Sequence, residues 1–183
     1  MEIINAPFQL FIKPMELTET QLLSQTQVLQ KIKRIAFEIY ENNFEETQIV
    51  IAGIKGQGHF FAKKLADTLN EISSIETTAV LIDVEKDVTY DSPVEFDCDE
   101  RFLEHKTIIV VDDVLNTGRT FAYSLSPFLM IPVKRIQVAV MVDRNYRRFP
   151  ILADYVGYQL STTISDYVSV VLDDEENMGV FLR

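Results

Sequence analysis

The chain has one cysteine, two histidines and no tryptophan among its 183 residues. Cys98 has no partner for an intramolecular disulfide, and with His59 and His105 alone it cannot complete a Cys/His zinc site. Basic residues are also scarce. Seventeen Lys and Arg face 28 Asp and Glu, a formal net charge of −11. A field of that sign repels phosphate backbones, so RNA binding is disfavoured by net charge unless a local basic patch overcomes it. No apolar run reaches the roughly 18 residues of a spanning helix, so no membrane segment is expected. The start of the chain lacks the basic and apolar regions of a signal peptide, and a cytoplasmic location is expected. Gly, Ser or Pro-rich linkers and internal repeats are absent, which predicts a single domain over 1–183.

Apolar residues make up 47% of the chain and charged ones 25%, the balance of a folded globular protein. The first 17 residues, with Phe8, Leu10, Phe11 and Ile12 between Pro7 and Pro14, suit a short strand or an arm. Thr18 and Gln21 have capping-box spacing. With Val28, Ile32, Ile35, Ala36 and Ile39 at helical spacing, they predict a helix over Thr20–Glu41. Apolar runs at Gln48–Gly53, Thr77–Asp83, Thr107–Asp112 and Arg135–Val142 read as buried strands, with shorter ones at Ala153–Tyr158 and Val168–Leu172. Helices are expected after Gly58, with Phe61, Leu65, Leu69 and Ile72 on one face, and over Phe121–Met130. The alternation predicts an α/β fold with a central parallel sheet flanked by helices, and a small hood from the terminal segments.

Ligands of open parallel sheets sit beyond the carboxyl ends of the strands, so the turns leaving those runs carry most weight. In Thr107–Thr120 an apolar strand ends at Asp112 and Asp113 and passes through Asn116, Thr117, Gly118, Arg119 and Thr120 into a helix. Backbone N–H groups and threonine hydroxyls in that turn suit a phosphate monoester. The two carboxylates would be repelled by the phosphate and suit sugar hydroxyls or hydrated Mg²⁺. A single Asp or Thr there would be an ordinary cap, but four such side chains exceed what capping requires.

Val110–Thr120 resembles the phosphoribosyl pyrophosphate (PRPP) motif of type I phosphoribosyltransferases. Further likeness lies at 51–58, 62–66, 142–144 and 153–157, in the manner of the bacterial bifunctional pyrimidine operon attenuator and uracil phosphoribosyltransferase family. The resemblance implies transfer of ribose 5-phosphate from PRPP to a nucleobase, uracil first, with Mg²⁺ bound alongside PRPP and no metal ligand of the protein named. It implies that Asp112 and Asp113 hold the ribose hydroxyls and that Asn116–Thr120 surround the 5-phosphate. Lys55, Gly56, Gln57 and Gly58 would form the pyrophosphate loop, with Lys55 as a catalytic charge toward the leaving group. Arg144, Tyr155 and Val156 would lie on the base side, and a homodimer is expected by analogy.

Three departures from the pattern qualify these expectations. Asn116 stands where purine-using relatives carry an aspartate, and an amide cannot act as a base. Gly56-Gln57 stands where the attenuator family carries Thr-Arg, removing a cation. The stretch corresponding to the closing loop, 83–99, has Lys86 as its only basic residue. The alternatives are a catalytically weak or inactive PRPP or nucleotide sensor, attenuator-like, and a purine phosphoribosyltransferase.

Overall fold

The computed structural model describes residues 19–85, 92–163 and 166–183. The N-terminal arm expected over the first 17 residues lies outside them, as do Thr18 and Lys86.

The chain enters as strand β1 (Thr20–Ser24) and turns into helix α1 (Gln25–Asn42). The predicted helix therefore begins five residues late. Gln21 and Leu23 pair with Phe181 and Val180 near the C-terminus, and this long-range pairing overrides the local helical pattern. The working cap is Ser24, whose backbone N–H donates to Gln27 Oε1 at 2.9 Å. This pair has the same spacing as Thr18 and Gln21, six residues further on.

Strand β2 (Gln48–Ile54) leads into helix α2 (Gln57–Ile72), then β3 (Glu76–Asp83) and a short β4 (Glu95–Phe96). Strand β5 (Thr107–Leu115) runs three residues past its expected end and so includes both acids. Helix α3 is only Arg119–Ser124; a separate 3-10 turn occupies Pro127–Met130. The single long helix expected over Phe121–Met130 is thus divided, because Pro127 has no N–H to continue the ladder. Strands β6 (Arg135–Asp143), β7 (Tyr155–Gln159), β8 (Val168–Val171) and β9 (Gly179–Leu182) complete the fold.

The central sheet has the order β4-β3-β2-β5-β6-β7. All its pairings are parallel except that of the edge strand β4 with β3. A second, antiparallel sheet of order β1-β9-β8 joins the two ends of the described chain, as the hood expectation required. Buried residues fall into two clusters, one on each face of the central sheet. Helices α1 and α2 and the hood cover Ile49, Ile51, Ile109 and Val111. Phe121, Phe128 and Leu103 cover Val50, Ala52, Ile108 and Val110 on the other side. Each such side chain contributes roughly 1.5–3 kcal/mol relative to exposure, which is why every position of these strand runs is apolar.

After β2 the chain proceeds outward to β3, whereas β5 lies on the opposite side of β2 and β6 continues beyond it. Helices α2 and α3 consequently leave β2 and β5 toward opposite faces, which opens a crevice between the two strand ends. Gly53 makes this arrangement close-packed. A Cβ there would lie 2.6 Å from His59 Cα and 2.7 Å from both Ala62 Cβ and Gly58 O. Gly53→Ala should therefore destabilise the fold by about 1–3 kcal/mol through overpacking. Urea unfolding checks this: the midpoint should fall with the slope unchanged, and an unaltered midpoint would contradict the packing account.

Candidate active site

The crevice holds a cavity of about 270 Å³ lined by Lys55, Gly56, Gln57, Asp112, Asp113, Asn116, Thr120, Arg144, Tyr167 and Val168, with Ile54, Val84 and Val114. A second cavity of about 190 Å³ adjoins it, formed by Asp112, Val114 and the turn Asn116–Phe121. The two share Asp112, Val114, Asn116 and Thr120. The turns after β2 and β5 thus meet at one place.

Consecutive residues of a regular strand point to opposite faces, yet Asp112 and Asp113 both line the larger cavity. The alternation of β5 changes phase at this point. Up to Val111 the odd positions join the α1/α2 cluster, whereas beyond the acids Val114 packs on that cluster and Leu115 belongs to the other. Asp112 Oδ1 also accepts the Asp113 backbone N–H at 2.9 Å.

The adjoining turn is built by Gly118, whose φ of 80° places it in the left-handed region that favours glycine. Thr117 O accepts the backbone N–H groups of Arg148 at 2.9 Å and Phe149 at 3.0 Å, which anchors the turn to the segment after β6. Thr117 Oγ1 receives the Arg119 N–H at 3.3 Å. The Arg119 guanidinium lies 5.6 Å from the centre of the Tyr123 ring.

On the β2 side, Gly56 has φ 98° and precedes the first residue of α2. Gly58 is needed for a different reason: a Cβ there would meet Asp112 Oδ1 at 2.8 Å and Val111 O at 3.0 Å. Lys55 Nζ contacts the two carboxylate oxygens of Asp83, at the end of β3, at 2.8 and 2.9 Å. Both partners are about half exposed, so the pair adds little stability, but it offsets the one lysine of the loop. The Gln57 carboxamide is engaged with Leu172 and Asp173 of the hood.

Arg144 is 6% exposed. Its guanidinium donates to Asn116 Oδ1 at 3.2 Å, Thr162 Oγ1 at 2.8 Å, Thr163 O at 3.1 Å and Asp166 O at 2.7 Å. It does line the cavity, but its hydrogen bonds tie the β5 turn to the segment leading into β8. Asp166 closes that segment by accepting the Thr163 N–H at 2.7 Å. This bond, with Arg144 nearby, holds the Asp166 carboxyl below its usual 3.8.

Tyr155 and Val156 line neither cavity. Tyr155 pairs with Ala139, four residues before the end of β6, about 13 Å from the crevice at strand rise. Its hydroxyl accepts from Gln137 Nε2 at 2.8 Å and Asn43 Nδ2 at 3.2 Å, and burial pushes its pKa up. Val156 packs against the α3-side cluster. The base-side expectation placed both on the cavity; the structure places their block in β7, the edge strand of the central sheet beside β6. Tyr167 and Val168 do line the cavity; the sequence marks Val168 only as the start of a short strand and does not single out Tyr167. At the end of β6, Asp143 accepts the Asn145 N–H at 2.9 Å and pairs with Arg147. Burial, with Lys63 nearby, holds His59 below its usual value of 6.5.

A model of the phosphoribosyl transferase domain matches residues 18–175. The bifunctional protein PyrR of Staphylococcus haemolyticus is 33% identical over 178 residues, covering 91% of this chain and 99% of that protein. PyrR of Fusobacterium nucleatum is 34% identical over 171 residues, covering 87% and 94%. Among solved structures, a hypoxanthine-guanine phosphoribosyltransferase from Bacillus anthracis superposes with a TM-score of 0.69 at 21% identity, covering 88% of this chain and 95% of that one. The hypoxanthine phosphoribosyltransferase of Trypanosoma cruzi superposes with a TM-score of 0.71 at 16% identity, covering 89% and 95%. These structural likenesses establish the fold.

The Arg144 network makes a direct prediction. Arg144→Leu should cost about 1.5–3 kcal/mol, the scale of losing hydrogen bonds to a charged group, and Arg144→Lys should not restore it, since one ammonium cannot span acceptors on two segments. Urea denaturation of the three proteins reads this, and full restoration by lysine would contradict it.

Proposed function

The chain belongs to the phosphoribosyl transferase domain family, and from that membership we propose that it moves ribose 5-phosphate from PRPP to uracil, giving UMP and pyrophosphate. The observation that carries this reading is the convergence of the Asp112-Asp113 pair, the Asn116–Thr120 turn and the Lys55–Gly58 loop on one crevice.

The residues divide the substrate by charge. Backbone N–H groups and hydroxyls of Asn116–Thr120 take the 5-phosphate in the smaller cavity, where neutral donors match an anion. The carboxylates of Asp112 and Asp113 accept hydrogen bonds from the 2- and 3-hydroxyls. The loop 55–58 faces the pyrophosphate, its glycines allowing the backbone to come close. The base nitrogen then attacks the anomeric carbon, the C–O bond to pyrophosphate breaks with its electron pair leaving on oxygen, and the nitrogen's proton passes to water. The protein's part is to align nucleophile, carbon and leaving group.

Asn116 cannot receive a base proton, and its amide oxygen is already held by Arg144. Both facts favour uracil over a purine. Among the described residues no group of three or more His, Cys, Asp or Glu forms a metal cage. Paired carboxylates at the rim of a cavity fit a hydrated Mg²⁺, which Asp112 and Asp113 would hold through water. When bound, the ion supplies the charge neutralisation that the Asp83-paired Lys55 does not. No helix among the described residues is long and apolar enough to cross a membrane. The family resemblance, and not this absence, is what supports the reading of a single domain over 1–183 acting in the cytoplasm as a homodimer.

The test is pyrophosphate release from PRPP and Mg²⁺ with a panel of bases. Uracil should turn over and hypoxanthine and guanine should not; chelating the metal should abolish release. Asp113→Asn should lower kcat/KM about 10- to 100-fold, the kinetic equivalent of one charged hydrogen bond. No release with any base would overturn the proposal.

A further inference from the structure

Gln57 opens helix α2 and lines the larger cavity, yet its side chain is committed to the other sheet. Its Oε1 accepts the backbone N–H of Leu172 at 2.7 Å, and its Nε2 donates to Asp173 Oδ1 at 2.8 Å. The orientation of the amide is unambiguous, because a backbone N–H only donates and a carboxylate only accepts. Leu172 is buried at 1% exposure and directly follows β8, which among the described residues is the edge strand of the hood and pairs only with β9. At the other end of that strand, Val168 and its neighbour Tyr167 wall the cavity. The turn beyond is stiffened by Asp174, which accepts from the Glu176 N–H at 3.0 Å and from Asn177 Nδ2 at 2.6 Å. It is also tied to α1, because Gln25 Nε2 donates to Glu175 O at 2.9 Å.

We propose that Gln57 is a positioning residue that fastens the hood to the pyrophosphate-facing loop, and so fixes the wall formed by Tyr167 and Val168 against which the base lies. Tyr167 and Val168 are taken as the base side because the proposed function sets the 5-phosphate at Asn116–Thr120 and the pyrophosphate at 55–58, which leaves the hood wall of the cavity for the base. That assignment rests on the proposed function, and the mechanical coupling does not. With Oε1 and one Nε2–H held by the hood, the Gln57 side chain is drawn toward the hood, while its backbone stays in the loop that faces the pyrophosphate. A hydrogen-bonding group on an anion loop thereby controls the opposite side of the substrate.

Two measurements on the full chain decide the matter. The first is backbone hydrogen exchange in the ligand-free protein. Gln57→Ala should speed exchange at Leu172 and along Val168–Val171 about tenfold, the effect of losing roughly one such bond. Gln57→Glu keeps the acceptor for Leu172 but sets a carboxylate against Asp173, so it should also loosen β8. Adding Asp173→Asn should restore protection, because an asparagine amide can donate to the new carboxylate. This reciprocal rescue separates the specific bond from general damage to folding. Unchanged exchange in Gln57→Ala, or no rescue in the double variant, would overturn the coupling.

The second measurement is calorimetry with UMP, which carries a base, and with Mg²⁺-PRPP, which does not. Gln57→Ala should weaken UMP about tenfold and PRPP by less than about twofold. Equal weakening of both, or weakening of PRPP alone, would overturn the positioning role even where exchange had changed. Wild-type protein that binds neither ligand would overturn the base-side role together with the proposed function, while the exchange results would still decide the coupling on their own.

Discussion

The approach of the first turn of α2 to the carboxyl end of β5 is the constraint on which the site depends. At Gly58 the two backbones are so close that a single methyl group would strike Asp112 and the Val111 carbonyl. Gly53 imposes the same closeness one step earlier, between β2 and α2. Because no side chain intervenes, the loop after β2 and the acids of β5 become walls of one cavity. A substrate with a diphosphate at one end of a ribose and a phosphate at the other needs that separation to be short and fixed.

Charge in this cavity follows an economical pattern. Lys55 is paired with Asp83, and Arg144 spreads its donors over neutral oxygens of two segments. Neither cation is left as a simple counter-ion for a polyphosphate. On the proposed reading, anion binding falls to main-chain amides and hydroxyls, with a divalent cation carried alongside the substrate, which suits a chain whose net charge is −11. Arg144 has a structural task in addition: it links the phosphate-facing turn to the hood, as Gln57 links the opposite loop. The hood is thus held from both sides of the crevice.

Much of this was legible in the sequence because the relevant signals are local. Unbroken apolar runs such as Ile108–Val111 identified the interior strands, and the order of acids, threonine and glycine after them located the crevice. What escaped depended on contacts distant in sequence. The strand at Thr20–Ser24 exists because the C-terminal residues pair with it, and nothing near Thr20 announces them. Tyr155 sits in a block that resembles the family, but the register of β7 against β6 sets it beside Ala139, midway along that strand and outside the cavity lining. Pairing of Gln57 with Leu172 spans 115 residues and involves a backbone N–H, which has no signature in side-chain identity. Pro127 was visible, and its effect on the helix from Phe121 follows from the missing N–H.

The central claim is that the Asn116–Thr120 turn grips a sugar's terminal phosphate while Asp112 and Asp113 hold the neighbouring hydroxyls. A crystal structure grown with excess ribose 5-phosphate tests it most directly, since that ligand contains those groups and nothing else. The account predicts phosphate oxygens within about 3 Å of the turn's amides and threonine hydroxyls, and the ribose diol on the two carboxylates. Sugar phosphate bound elsewhere, or bound with the phosphate at Lys55–Gly58 and the hydroxyls away from the acids, would contradict it.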